Sequence, residues 1–308
     1  MRNEKYVMAE VAMLYYEKKH TQQEIAEMLG ITRQTVSRLL NDAVKENIVE
    51  IIIHNPHKTC ETLEKKLVKT FGLEKAVVCA AASKNNAIRK QLTVKAARDY
   101  IVPLIEKGNQ KIGVSWGRTV KELVNALGDR QTTENLVFPL FGATDTKNYA
   151  FSSNEIARDL GEKIDAEVQY AWFPYLTDTK EDRMLMEKTS YYKKIQKLWD
   201  TIDIAICGIG NAEILESFED AFGPRENSAK IIGDIATHFF DENGMLSALY
   251  ENTICASSEN LRNAGQTIGV ACGSDKVCAI RGALRTKLLN VLITDEYTAR
   301  QILEEEAK

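Results

Sequence analysis

Residues 21–40 read Thr21-Gln22-Gln23-Glu24-Ile25-Ala26-Glu27-Met28-Leu29-Gly30-Ile31-Thr32-Arg33-Gln34-Thr35-Val36-Ser37-Arg38-Leu39-Leu40, and this stretch decides the fold of the amino-terminal part of the chain. Thr21-x-x-Glu24 has the spacing of a capping box, in which hydroxyl and carboxylate satisfy free amides at a helix start. The helix runs through Ile25, Ala26 and Leu29 and stops at Gly30, where the turn needs a positive φ that glycine adopts without strain. Thr32 caps the next helix, which carries Val36, Leu39 and Leu40. Two helices across so tight a turn make a helix-turn-helix. Ile25, Leu29, Ile31, Val36 and Leu39 supply its small shared core, and Ala26 is small where the helices cross. The second helix leaves Arg33, Gln34, Thr35, Ser37 and Arg38 at its exposed amino-terminal face. Arginine can bond guanine bidentately, glutamine can bond adenine, and Thr or Ser suits bases and phosphates. With Gln22 and Thr32 at the two helix starts, these are the expected DNA contacts. An interaction or dimerisation module would expose apolar residues on that face instead.

On either side the pattern supports a winged helix. Glu4 to Lys18 has helical spacing at Val7, Val11, Leu14 and Tyr15, and Val49-Glu50-Ile51-Ile52-Ile53 reads as a short strand, the wing. Residues 1–58 hold eight Lys or Arg and eight Asp or Glu, a balance of zero. One copy therefore neutralises few phosphates and binds DNA weakly, so tight binding calls for several copies on a repeated or palindromic operator. The expected partners are operator DNA and further copies of the chain.

The whole chain has 308 residues, a net charge of −4, 27% charged and 44% hydrophobic residues, and five prolines. That is the composition of an ordinary folded protein with room for about two domains. No stretch approaches the roughly 20 apolar residues that span a bilayer, and the start Met1-Arg2-Asn3-Glu4-Lys5 lacks the apolar centre of a signal peptide, so the expected location is the cytoplasm. The six cysteines form no C-x-x-C pair and the four histidines no metal spacing, so reduced thiols, no metal and no cofactor are expected.

Cys60 to Phe71 reads as a connecting helix ending at Gly72. Beyond it, short apolar runs at 76–79, 111–114, 136–140, 168–173, 202–207, 267–272 and 291–294 alternate with amphipathic stretches such as Ile88 to Ile105 and Glu296 to Leu303. That alternation predicts an α/β fold, a largely parallel, doubly wound sheet covered on both faces, with ligands beyond the carboxyl ends of its strands. The domains are then 1–58, a winged helix-turn-helix; 59–72, the connecting helix; and 73–308, an effector-binding and oligomerisation domain. Ser115-Trp116-Gly117-Arg118-Thr119 follows one such strand and opens a helix over Val120 to Leu127. Gly117 permits close backbone approach, Ser115 and Thr119 offer hydroxyls, and Arg118 adds charge at a helix start, a combination suited to an anion such as phosphate. It is neither a Walker A loop nor a G-x-G-x-x-G turn. Cys207-Gly208-Ile209-Gly210-Asn211 and Ala271-Cys272-Gly273-Ser274-Asp275-Lys276 follow two further strands in the same manner, and Lys276 could face a ligand phosphate.

With these residues in view the chain resembles the SorC (sorbitol/sorbose operon regulator) family of bacterial transcriptional regulators along nearly its whole length. The likeness rests on Leu14-Tyr15-Tyr16, Thr21 to Ala26, Thr35 to Leu40, Gly113 to Thr119, Gly208-Ile209-Gly210, Gly233-Asp234-Ile235, Phe239-Phe240-Asp241 and Gly282-Ala283-Leu284-Arg285, in this order. The resemblance implies a winged-helix domain, a Rossmann-like effector domain similar to sugar-phosphate isomerases, and a tetramer whose operator affinity answers to a phosphorylated sugar or sugar alcohol. Carried onto this sequence, the phosphate meets Ser115, Trp116, Gly117, Arg118 and Thr119 with Lys276 opposite. Gly142, Ala143, Thr144, Asn154, Gly208, Gly210 and Asp234 line the sugar side. Deoxyribonucleoside-type members carry a lysine after the third strand that can form an imine with the effector. Here Phe141 stands in that place and Ala143 replaces a second glycine. The departure argues against an imine and against deoxyribose phosphate, and the overall spacing favours a hexose or hexitol phosphate.

The competing reading is a sugar-phosphate isomerase that carries a helix-turn-helix. Such chemistry needs a positioned base and a proton-shuttling partner. Asp234 is the best base, with Asp275 or Glu213 as partners, but no pair is marked as catalytic, and the expectation is a regulator rather than an enzyme.

Overall fold

The computed structural model describes residues 2–50, 60–81, 83–129, 134–144, 152–213 and 230–307. The chain divides into two compact units, Met1–His57 and Lys58–Lys308.

The first unit contains α1 (Arg2–Ala12), a π turn (Met13–Glu17), α2 (Gln22–Leu29) and α3 (Arg33–Lys45). Both halves of the capping box form: the Glu24 amide donates to Thr21 Oγ1 at 3.3 Å and the Thr21 amide to the Glu24 carboxylate at 2.7 Å. Gly30 takes φ 64°, and the Thr35 amide donates to Thr32 Oγ1 at 3.1 Å. Val11, Ala12, Ile25, Ala26, Val36, Leu39, Leu40 and Ala43 form the buried core. One element differs from expectation. The first helix does not run evenly from Glu4 to Lys18 but widens after Ala12, where the Lys18 amide reaches the Met13 carbonyl. The wider turn brings three consecutive residues, Leu14, Tyr15 and Tyr16, against the core, with the two tyrosine rings edge to face at 5.0 Å. A regular helix cannot do that with neighbours in sequence. Of the expected wing, Val49 and Glu50 belong to no regular element, and residues 51–59 lie outside the described residues.

The second unit begins with α4 (Glu61–Phe71), closed by Gly72 at φ 69°. Its Glu64 carboxylate accepts the Val78 amide at 2.9 Å, which satisfies the free edge of β1 (Lys75–Cys79). Then follow α5 (Asn86–Ile105), β2 (Lys111–Val114), α6 (Arg118–Ala126), β3 (Leu136–Pro139), α7 (Ser153–Ile164), β4 (Glu167–Val168), α8 (Lys180–Lys188), α9 (Ser190–Trp199) and β5 (Ile204–Asn211). A three-stranded antiparallel meander, β6 (Gly233–Ile235), β7 (His238–Phe240) and β8 (Leu246–Ser247), is attached to the end of β5. The chain closes with α10 (Ser258–Asn263), β9 (Gln266–Val270), α11 (Val277–Arg285), β10 (Val291–Asp295) and α12 (Glu296–Glu306).

Seven strands pair in parallel in the order β1-β10-β9-β5-β2-β3-β4. One face is covered by apolar residues of α5, α6 and α7, among them Ile101, Leu123 and Leu160. The other is covered by α4, α9, α11 and α12 through Leu67, Trp199, Leu284 and Ile302. The doubly wound reading holds. From β2 the chain steps outward through β3 to β4, and from β5 it steps the other way through β9 to β10. The crevice of such a sheet therefore opens between the carboxyl ends of β2 and β5.

The run at 168–173, expected as a full strand, pairs only at Glu167–Val168. The reason is the Asn154 side chain, which donates to the Ala171 carbonyl at 3.1 Å and accepts the Ala171 amide at 3.0 Å. A side chain there takes both groups that a ladder would use. The meander β6-β7-β8 was not foreseen from the sequence.

Candidate functional site

In α3 the Arg33, Gln34 and Arg38 side chains are exposed, while Thr35 and Ser37 are half-buried beside them. Thr32 is exposed at the cap and shares a 2.8 Å hydrogen bond with the Thr35 hydroxyl, and Gln22 opens α2 half-buried. Arg38 lies 3.9 Å from Asp42, an exposed pair that holds the guanidinium only loosely. The arrangement is a polar face of hydrogen-bonding groups carried on a rigid helix.

At the carboxyl edge of the sheet, β2 and β5 bring two loops together. The Ser115 amide donates to the Ile206 carbonyl at 3.0 Å, and Ser115 Oγ accepts the Gly208 amide at 3.2 Å. Gly117 sits at φ 106° and ψ 161°, a backbone state that a side chain rarely adopts, and α6 starts directly after it. Asp234 projects from β6 and is 3% exposed. Burial pushes its carboxyl up to about 6, against the opposing pull of the Thr237 amide, Lys276 and the Trp116 side chain. Burial likewise draws the Lys276 ammonium down, with Asp234 and Asp275 acting the other way. Lys276 Nζ donates to the Ile209 carbonyl at 2.6 Å. Ser115, Trp116, Gly208, Asp234 and Lys276, drawn from separate parts of the sequence, thus converge on the β2/β5 crevice.

The model of the sugar-binding domain family matches residues 55–304, and that of sigma-70 region 4 matches residues 8–46. The sorbitol operon regulator of Klebsiella pneumoniae is 33% identical over 97% of this chain and 98% of its own length. The chain belongs to the SorC family. The deoxyribonucleoside regulator of Bacillus subtilis (strain 168) is 30% identical over 99% of each chain. Among solved structures, the full-length sorbitol operon regulator SorC from Klebsiella pneumoniae has a TM-score of 0.75 at 32% identity, covering 97% of this chain and 98% of that one. A transcriptional regulator from Streptococcus pneumoniae TIGR4 has a TM-score of 0.74 at 26% identity, covering 80% of this chain and 98% of that one. As a SorC-family member the protein is a DNA-binding transcriptional regulator with a helix-turn-helix and a sugar-binding domain.

The remaining site residues expected from the SorC resemblance are distributed unevenly around the crevice. Gly142 is buried with its Cα against the Phe173 and Pro174 carbonyls, where an added Cβ would come within 2.7 Å of both oxygens. Its amide donates to Ile254, and Ala143 zips to Phe173 and Tyr175 through backbone bonds, so this segment braces the loop after β4. Asn154 braces the same loop through Ala171. Thr144 is buried, and its hydroxyl has no hydrogen-bond partner. Gly210 pairs with Asp234 in the β5–β6 ladder. Arg118 is exposed and Thr119 half-buried in the first turn of α6. At the position of the family's imine-forming lysine, Phe141 is fully buried, with its ring edge to face with Trp116 at 6.1 Å and with Tyr175 at 5.9 Å. No amine is present there. Sequence reasoning missed Tyr175 and Thr237, which adjoin Asp234. Among the described residues no cluster of His, Cys, Asp or Glu could hold a metal ion, and no helix is long and apolar enough to cross a membrane.

Proposed function

We propose that this regulator controls a carbohydrate-utilisation operon. It reads operator DNA through Gln22, Thr32, Arg33, Gln34, Thr35, Ser37 and Arg38, and it binds a phosphorylated sugar or sugar alcohol in the β2/β5 crevice. One observation carries the phosphate. Among the described residues of the second unit, six helices begin on a side-chain acceptor, Asn85, Ser152, Thr179, Thr189, Ser257 and Asp295, while α4 and α11 begin on Cys60 and Lys276 without one. Helix α6 begins on Gly117, which has none to give. Its first-turn amides lie at the switch point of the sheet with the helix dipole behind them, beside exposed Arg118 and within the loop that Ser115 pins to β5. This is a binding place for an anion that the ligand supplies. Asp234, Thr144 and the Gly208–Gly210 backbone offer partners for sugar hydroxyls.

A regulatory role fits better than catalysis. Asp234 is buried among hydrogen-bond donors, while Asp275 and Glu213, the acids that would complete a proton shuttle, are exposed. The reading includes a cytoplasmic homo-oligomer, a tetramer, because a reading head of zero net charge needs several copies to hold an operator.

A thermal-shift panel of phosphorylated hexoses, pentoses and hexitols, each beside its unphosphorylated form, tests the proposal. A ligand at about 100 times its dissociation constant stabilises the native state by about 2.7 kcal/mol. The expected result is a shift for a phosphate ester and none for its parent sugar. Equal shifts for the two forms would remove the phosphate from the reading.

A further inference from the structure

None of the residues of α8 (Lys180–Lys188) is fully buried, yet the helix has a fixed inner side. Met186 packs against the core, and half-buried Arg183 bonds the Glu187 carboxylate at 2.8 Å and the Glu251 carbonyl at 2.9 Å. With Arg183, Met186 and Glu187 inward, helix periodicity sets Glu181, Met184, Leu185 and Lys188 together on the opposite side. That is an i, i+3, i+4, i+7 stripe of the kind a helix normally turns toward another element. Here it faces outward: Met184 is 56% and Leu185 63% exposed. Exposed apolar residues scattered singly need no explanation, but two at the centre of one stripe do.

The ends of the stripe carry opposite charges. Glu181 and Lys188 are both exposed. Among the described residues the ion pairs of α8 are Lys180–Glu251 and Arg183–Glu187, and neither end of the stripe takes part in them. Seven residues, about 10 Å of helix axis, separate Glu181 from Lys188, too far for the two to pair within one helix. A second exposed apolar group stands at the corner where α8 gives way to α9. Trp172, 69% exposed, stacks on Tyr170 at 4.9 Å, and the Tyr191 hydroxyl in the first turn of α9 donates to the Tyr170 carbonyl.

A two-fold interface must be complementary to itself, and this stripe is so in one orientation. Two α8 helices laid antiparallel set apolar centre on apolar centre and acid on base at both ends. Laid parallel, they would oppose like charges. A nucleic acid would find both an acid and an apolar centre in its way. We propose that the outward face of α8 is a self-association surface. Two copies of the chain pack α8 on α8 about a two-fold axis, with Met184 and Leu185 at the centre. Glu181 of each copy then meets the partner subunit's Lys188. The inference rests on the several-copies reading above and gives it a surface.

Sedimentation equilibrium of the full-length protein tests it, with wild type, Leu185→Asp, Glu181→Lys, Lys188→Glu and an equimolar mixture of the last two. All three positions are exposed, so the far-UV circular dichroism of each variant should match the wild type. The wild type should be an oligomer, and Leu185→Asp should have half its number of subunits, because a carboxylate replaces the apolar centre in both copies. Each charge variant alone should raise the dissociation constant about tenfold or more, since both end contacts become repulsive. Mixing the two should restore wild-type affinity, because one copy brings two lysines and the other two glutamates. A parallel pairing, or damage within one chain, gives no such rescue. Leu185→Asp that assembles like the wild type overturns the inference and assigns the face to another partner. Charge variants that weaken assembly but do not recover on mixing overturn it as well. A wild type that sediments as a monomer at every concentration sinks the several-copies reading itself.

Discussion

Asp234 is a carboxylate placed where water does not follow, and its ionisation has a predictable sign. Burial raises its folded value from 3.8 to about 6, while the unfolded chain keeps the ordinary one. Below pH 4 both states are protonated and the group contributes nothing. Between about pH 4 and 6 the unfolded chain ionises while the folded carboxyl keeps its proton, so stability falls by roughly 3 kcal/mol from this residue alone and levels off above pH 6. Lys276, the Trp116 side chain, the Thr237 amide and the Tyr175 hydroxyl are the groups that face it. Urea midpoints of the unliganded protein at pH 4, 5, 6 and 7.5 should show that loss, and Asp234→Asn should flatten it. An unaltered slope in the variant would place the dependence elsewhere. Ala236, in the turn between β6 and β7, has φ 46° and gives a second prediction. Ala236→Gly relieves a left-handed alanine and should raise stability by about 1 kcal/mol, some 2–4 °C in melting temperature; a lower melting temperature would contradict the strain. Asp234 could be picked from Gly233-Asp234-Ile235, because a polar residue in an apolar run stands out. Thr237 could not, because its turn lacks the Asn-Gly or Asp-Gly signature by which such hairpins are read.

Helix starts were the most legible elements, because a cap is local chemistry. Thr21, Glu24 and Thr32 form the bonds their spacing implies, and Gly30 and Gly72 close helices with the left-handed backbone their positions call for. Strand ends were less legible, because what stops a strand is usually a long-range contact. Asn154 truncates β4 from 17 residues away, and no pattern within 168–173 announces it. The π turn at Met13–Glu17 was hidden for a related reason: apolar residues at 14, 15 and 16 fit a regular helix until the core requires all three. Thr32→Ala therefore has a defined expectation. The loss of one cap should cost about 1 kcal/mol within the first unit and weaken operator binding, with no change in effector affinity. Circular dichroism melts beside gel-shift titration would check it, and an altered effector affinity would count against independent elements. Helix α6 starts on Gly117 with no side-chain cap. Gly117→Ser would offer a cap where the ligand is expected to act, on a backbone that resists a side chain, so phosphate-ester affinity should fall tenfold or more.

At the scale of the whole molecule, the proposed function divides recognition between a head whose sequence is electrically neutral and a sheet edge that would take an anion. Arg38→Ala should lower operator affinity while leaving effector binding intact, and Arg118→Ala should do the reverse. If each lost both activities while still folded, the division would be wrong. Regulation requires more than division, because the two sites must be coupled in free energy, and coupling is reciprocal. If the effector changes operator affinity by some factor, typically about 5–150-fold, then operator DNA must change effector affinity by the same factor. Both sides can be measured on the intact protein: duplex affinity at zero and saturating effector, and effector affinity by calorimetry at zero and saturating duplex. Ionic strength must be held fixed throughout, since the phosphate-neutralising part of DNA binding varies steeply with salt. A factor different from one would establish that effector and operator bias one equilibrium, and its equality in the two directions checks that the four affinities close the cycle.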